Sequence, residues 1–197
     1  MRKIWIQLVK LWGWQFEIPD LKDRPEIAHC VVAVAPHTAF VDYIVGAAVL
    51  FAAGVKPKIF VKKEFFNFFT RPLLLRLGLV PVDRGNRHNG LVEKAVKLLR
   101  EDNNACIVIT PEGTRKPVKR FKRGFYEIAT QAGVPIVLGY MDFERKHAGY
   151  GPTILPTGDY EADVEKMIEY FAPIPPRHPE GWGFSPEMKQ PQGNDNR

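Results

Sequence analysis

Residues 27–42 read Ile-Ala-His-Cys-Val-Val-Ala-Val-Ala-Pro-His-Thr-Ala-Phe-Val-Asp. The run from Ile27 to Ala35 is almost continuously apolar and rich in valine, the pattern of a strand buried on both faces. It stops on Pro36 and passes through His37 into a second apolar stretch, Phe40 to Ala53, whose length suits a helix. A strand that hands over to a helix across a few polar residues is the repeating unit of an α/β domain.

The rest of the chain repeats this alternation. Lys58 to Val61 and Leu79 to Val82 read as extended, and Phe65 to Leu77 as helical with a break at Pro72. Asn89 to Glu101 is helical, with Leu91, Ala95, Leu98 and Leu99 on one side. Ala105 to Ile109 is a buried strand, Gly124 to Gln131 a helix ending near Gly133, and Val134 to Tyr140 another strand. A short strand, Thr153 to Leu155, precedes a last helix, Tyr160 to Phe171. The reading is a single α/β domain: a central, mostly parallel or mixed sheet flanked by helices, plus an N-terminal amphipathic helix.

That first helix gathers Met1, Ile4, Trp5, Leu8, Val9, Leu11 and Trp12 on one face and Arg2, Lys3, Gln7 and Lys10 on the other. It suits either a helix lying in a lipid interface or one capping a core. Pro19 and the charged stretch Asp20 to Glu26 read as a connector. The expected organisation is an interfacial helix at 1–19, a catalytic domain at 20–172 and a Pro/Gly-rich tail at 173–197, in which Trp182 and Phe184 can tether the chain. With 45% hydrophobic and 25% charged residues the composition is that of a folded globular protein. The net charge of +6 favours acidic partners without choosing among them. Cys30 and Cys106 sit inside apolar runs, as buried free thiols do, which fits a reducing compartment. The longest uncharged apolar run, Tyr43 to Val55, is too short to span a bilayer, and no secretory leader is indicated.

Three strand ends carry side chains with chemistry. His37 follows the first strand and Asp42 opens the next helix, a spacing at which a carboxylate can hold one ring nitrogen and leave the other to accept a proton. Alone, the pair also reads as a satisfied turn histidine and a carboxylate on a helix dipole. Thr110-Pro111-Glu112-Gly113-Thr114-Arg115 follows a buried strand. Gly113 permits a tight turn, Thr114 offers hydroxyl and amide donors, and the Arg115 guanidinium can grip a phosphate with two parallel bonds. An ordinary glycine turn with a solvated arginine is the plainer account. Val80-Pro81-Val82-Asp83-Arg84 supplies a second arginine, unless Asp83 and Arg84 are merely a surface pair. A further segment from Lys62 to Arg76 sets Phe65, Phe66, Phe68 and Phe69 among Lys62, Lys63, Arg71 and Arg76. It suits the lining of an apolar tunnel, a membrane-facing surface, or core packing.

In their order along the chain these blocks resemble the glycerolipid acyltransferases typified by 1-acylglycerol-3-phosphate acyltransferase. His37 to Asp42 looks like the family's H-x4-D block, Val80 to Arg84 its arginine block, Glu112 to Arg115 its E-G-T-R block and Val134 to Val137 its V-P-I block. Lys62-Lys63-Glu64-Phe65 and Phe121-Lys122-Arg123-Gly124 are similar to further family segments. Ala39 stands where the family often has serine, and Leu138 where it has a second proline. The resemblance implies transfer of a fatty acyl group from acyl-CoA or acyl carrier protein to a lysophospholipid hydroxyl. His37 would be the base, Asp42 its orienting partner, and Arg84 with Glu112, Gly113, Thr114 and Arg115 the phosphate site. It further implies no resident cofactor and no metal, a peripheral position on the cytoplasmic face of the membrane, and no nucleic-acid partner. The absence of a G-x-S-x-G elbow agrees with direct transfer. A lyso-aminolipid acceptor, a thioesterase in which His37 activates water, and a non-catalytic module binding anionic lipid or nucleic acid are the alternatives.

Overall fold

The computed structural model describes residues 2–82 and 90–184. Its strands are β1 Gln15–Glu17, β2 Val31–Val34, β3 Lys56–Lys62, β4 Leu79–Val82, β5 Ala105–Ile109, β6 Ile136–Asp142 and β7 His147–Ile154. Its helices are α1 Arg2–Leu11, α2 Val41–Ala52, α3 Arg71–Arg76, α4 Leu91–Glu101, α5 Gly124–Ala132 and α6 Tyr160–Phe171. The strands form one seven-stranded sheet in the order β1-β7-β6-β2-β5-β3-β4. Every neighbouring pair is parallel except β6 and β7. The α/β class, the mixed sheet, the single domain and the N-terminal helix are therefore as the sequence implies.

Alternation along the central strands divides the core in two. Val31, Ala33, Ile107, Ile136 and Leu138 face α4, α5 and α6, where Leu99, Phe125, Ile128, Met167 and Phe171 cover them. Val32, Cys106 and Val137 face the other way, toward Val45, Ala48 and Val49 of α2 and Val9 of α1. The crossover from β2 runs over the α2 face toward β3, whereas the crossover from β5 runs back over the α5 face to β6. The following helices of two adjacent parallel strands thus leave on opposite faces, which opens a crevice at the carboxyl ends of β2 and β5.

Four local readings change. The first strand begins only at Val31, because Pro25–Ala28 form a 3₁₀ turn with Pro25 at its start. Residues 66–70 are a non-helical loop between a 3₁₀ turn, Lys63–Phe65, and α3, and Pro72 stands in the first turn of α3, where a missing N–H costs nothing. The last strand is β7, eight residues long, rather than a stub near Thr153. The edge strand β1 pairs with it, and Glu17 accepts from the Tyr140 hydroxyl of β6 while standing 3.2 Å from His147 Nδ1.

Beyond α6 the chain returns across the carboxyl ends of the strands. Trp182 is fully buried, its ring centroid 6.4 Å from Phe121 and 5.2 Å from Phe184. Residues 185–197 of the expected tail lie outside the described residues. Truncating a buried aromatic of this kind leaves a cavity, so Trp182→Ala is expected to lower stability by about 3–5 kcal/mol in urea unfolding. A loss below about 1 kcal/mol is incompatible with this packing.

Candidate active site

The chain leaves β2 through a cis Ala35–Pro36 peptide and reaches His37, which is 7% exposed. The His37 ring places Nδ1 2.9 Å from Asp42 Oδ2, and the same oxygen accepts from the backbone N–H of Thr38 and of Ala39, each at 2.9 Å. Asp42 lies in the first turn of α2, where unpaired amides and the helix dipole favour a carboxylate. A carboxylate can only accept, so Nδ1 of the paired ring carries the hydrogen and the neutral ring keeps its lone pair on Nε2. Tyr43, one residue past Asp42, sets its ring edge-on to His37 with centroids 5.4 Å apart. Phe40 stands beside Tyr43 in turn, centroids 6.0 Å apart.

The neighbouring strand end supplies Glu112, 2% exposed, whose Oε1 accepts from the His37 N–H at 2.9 Å. Glu112 thus joins the two loops through the backbone of His37. Burial pushes its carboxyl up to about 8, only partly opposed by amide donors, with the Asp42 charge adding to the rise. Its Oε2, like Asp42 Oδ1, is buried without a hydrogen-bond partner among the described residues.

Gly113 adopts φ +63, and a side chain there would collide with Lys122, whose Nζ lies 2.6 Å from the position of a Cβ. The lysine stem is laid across the glycine, which brings a cation of the Phe121–Gly124 segment to this turn. Thr114 Oγ1 accepts from the Lys116 N–H at 3.2 Å, and Arg115 is solvent-exposed at the rim. The structure therefore brings His37, Asp42, Glu112 and Gly113–Arg115 to two adjacent strand ends. Arg84 lies outside the described residues, and the strand leading to it, β4, is separated from β5 by β3. Val134–Val137 enters β6, the neighbour of β2, at the amino ends of the strands, where the Pro135 carbonyl accepts from Val31 N–H, so that block serves strand pairing.

Lys62 closes β3, Lys63 and Phe65 form the following 3₁₀ turn, and Phe66 is half-buried. Phe68 and Phe69 are 88% and 86% exposed at the tip of a loop. That loop is held by Thr70 Oγ1–H donating to the Phe65 carbonyl at 2.6 Å and Thr70 N–H to Asn67 Oδ1 at 2.9 Å. The segment leaves the carboxyl end of β3, the strand beside β5 in the sheet.

A family model described as Acyltransferase matches residues 16–140, a span that contains both loops of the crevice. No curated protein matches the chain.

The Glu112 carboxyl binds its proton more tightly in the folded than in the unfolded chain. Its contribution to stability is fully present below its ordinary value of 4.5 and is lost as pH rises toward about 8. Glu112→Gln should flatten that part of the stability profile in urea melts taken across this range. An unchanged slope would mean that Glu112 is ionised in the folded protein.

Proposed function

Since the chain belongs to the acyltransferase family, we propose that it transfers a fatty acyl group from acyl-CoA or acyl carrier protein to the hydroxyl of a lysophospholipid such as 1-acylglycerol-3-phosphate, with His37 as general base. The observation that carries this reading is the buried His37–Asp42 pair at the mouth of the crevice, 2.9 Å apart. In the proposed reaction His37 Nε2 removes the proton from the acceptor hydroxyl as its oxygen attacks the thioester carbonyl. The carbon–oxygen bond forms, the carbon–sulfur bond breaks, and the imidazolium returns the proton to the departing thiolate. Asp42 keeps the reactive tautomer and faces the charge that develops on the ring. Arg115 at the rim, with the Gly113–Thr114 turn and Lys122 beside it, suits an anionic group on the acceptor. Arg84 is proposed as a second contact.

Acyl-CoA is to be incubated with a panel of lysolipids, lysophosphatidate and lyso-aminolipids included, and the products read by mass spectrometry. His37→Ala is expected to lose roughly 10²- to 10⁴-fold in turnover while melting like the wild type. Near wild-type turnover in that variant would falsify the base assignment, and acyl-CoA hydrolysis indifferent to every acceptor would point to a thioesterase.

The substrates are amphiphiles, and two apolar surfaces support a peripheral membrane position. On α1, Ile4, Leu8 and Leu11 are exposed although Val9 is buried against the core. The second surface is the Phe68–Phe69 tip. No described helix is long and apolar enough to cross a membrane. Trp14 packs into the core 4.9 Å from Phe143, so removal of the whole N-terminal stretch would disturb the fold, whereas exposed positions can be changed singly. Ile4→Ser with Leu8→Ser, and separately Phe68→Ser with Phe69→Ser, should weaken cosedimentation with phosphatidylcholine–phosphatidylglycerol vesicles without lowering Tm. Wild-type binding in both double variants would place the lipid contact elsewhere.

A further inference from the structure

The segment after α6 lies outside the matched residues 16–140, yet it touches both loops of the crevice. His178 N–H donates to Thr38 Oγ1 at 3.1 Å. A 3₁₀ turn at Pro179–Gly181 follows, closed by Gly181 N–H to the His178 carbonyl and Trp182 N–H to the Pro179 carbonyl. Trp182 then anchors the segment in the core beside Phe121, which belongs to the same loop as Arg115. Gly183 runs so close to Val118 that a Cβ there would stand 2.1 Å from its carbonyl oxygen.

Gly181 sits where the two loops face each other. A Cβ on it would lie 3.1 Å from the Arg115 carbonyl oxygen on one side and 3.1 Å from Thr38 Cγ2 on the other. Its φ is outside the left-handed region, so alanine is allowed by the backbone and is opposed only by the two neighbours. Thr38 in turn donates its N–H to Asp42 Oδ2, the oxygen that holds the His37 ring. A displacement of Thr38 is thereby transmitted to the base.

We propose that residues 178–183 are a positioning element for the reaction: anchored by Trp182, the segment sets the separation of the His37 loop from the Arg115 loop, with Gly181 as the spacer and Thr38 as the residue through which it acts. The inference rests on the acyltransferase reading for its consequence in turnover, and on contacts alone for its consequence at the His37–Asp42 pair. The base and the anion-holding loop sit on different strands, β2 and β5. A small change in their separation misaligns the acceptor hydroxyl, and misplacements of order 1 Å can cost about 10²-fold.

The experiment compares wild type, Gly181→Ala, Thr38→Ser and the double variant. Turnover is read with the acyl-transfer assay, and the low-field Nδ1–H proton resonance of His37, identified by its loss in His37→Ala, is read by NMR. Gly181→Ala is expected to lower kcat about tenfold or more with acceptor KM changed less, to shift the His37 resonance, and to melt within a few degrees of wild type. Thr38→Ser removes the Cγ2 that the new methyl meets but keeps the oxygen that accepts from His178 N–H. The loss caused by Gly181→Ala should therefore be smaller in the Thr38→Ser background than in wild type, a coupling that general destabilisation would not produce. Unchanged kcat and an unmoved resonance in Gly181→Ala, or equal losses in the two backgrounds, would overturn the proposal. If the wild type transfers acyl groups to no acceptor, the functional reading fails, and the resonance alone decides whether the segment positions the pair.

Discussion

One carboxylate oxygen organises the crevice. Asp42 Oδ2 receives the His37 ring and two successive backbone amides, Thr38 and Ala39. The loop between β2 and α2 can close this way only if the strand stops before His37 and the helix starts at once, which Pro36 and the apolar run from Val41 ensure. Charge-assisted bonds of this sort are roughly twice as strong as neutral ones, and all three are shielded from water because Asp42 is buried. Fold and candidate chemistry therefore share a cause: the hydrogen bonds that end the strand and begin the helix also fix the imidazole tautomer.

Glu112 extends the constraint to the next strand. A second ionised carboxylate beside Asp42 would set two like charges in a dry crevice, and burial instead raises Glu112 to about 8. Kept neutral, it still offers Oε1 to the His37 N–H and so ties β5 to β2 at their functional ends. The cations Arg115 and Lys122 stand on the exposed side of the same loop. Under the proposed reaction these exposed cations suit an anionic group on the acceptor, held apart from the buried His37.

Much of the fold was legible because the central strands are buried on both faces and therefore read as continuous apolar runs: Val31 to Ala35, Ala105 to Ile109, Ile136 to Leu138. The edge was not. β1 is three residues, Gln15–Glu17, with no alternation to recognise, and β7 is written His-Ala-Gly-Tyr-Gly-Pro-Thr-Ile, whose glycines and proline read as turn. Its pairing comes from neighbours distant in sequence, a tertiary override of local preference. For the site, a spacing of a few residues linked His37 to Asp42, and an unbroken motif linked Glu112 to Arg115. What escaped notice depends on contacts across the chain: Glu112 on the His37 amide, Lys122 over Gly113, and Gly181 between Thr38 and Arg115. Tyr43 adjoins Asp42, yet only the helix geometry turns its ring toward His37.

The N-terminal helix shows why amphipathicity alone leaves its partner open. Among the described residues of its apolar face only Val9 is fully buried, while Trp5 donates its indole N–H to the Ile44 carbonyl of α2 at 3.0 Å and remains partly exposed. Ile4, Leu8, Leu11 and Trp12 stay in water, with Leu11 83% exposed. A helix needed only to cap the core would turn such residues inward, since burying a leucine or isoleucine side chain is worth roughly 1.5–3 kcal/mol. Scattered exposed apolar residues are ordinary, but several on one face of one helix, with Lys3 and Lys10 flanking, form a patch that water disfavours and a lipid interface accepts. The Trp5 bond and the buried Val9 seat the helix on α2 and leave that patch outward. Under the proposed reaction this is consistent, because both the acceptor and the product are amphiphiles that reside in the surface such a face would enter.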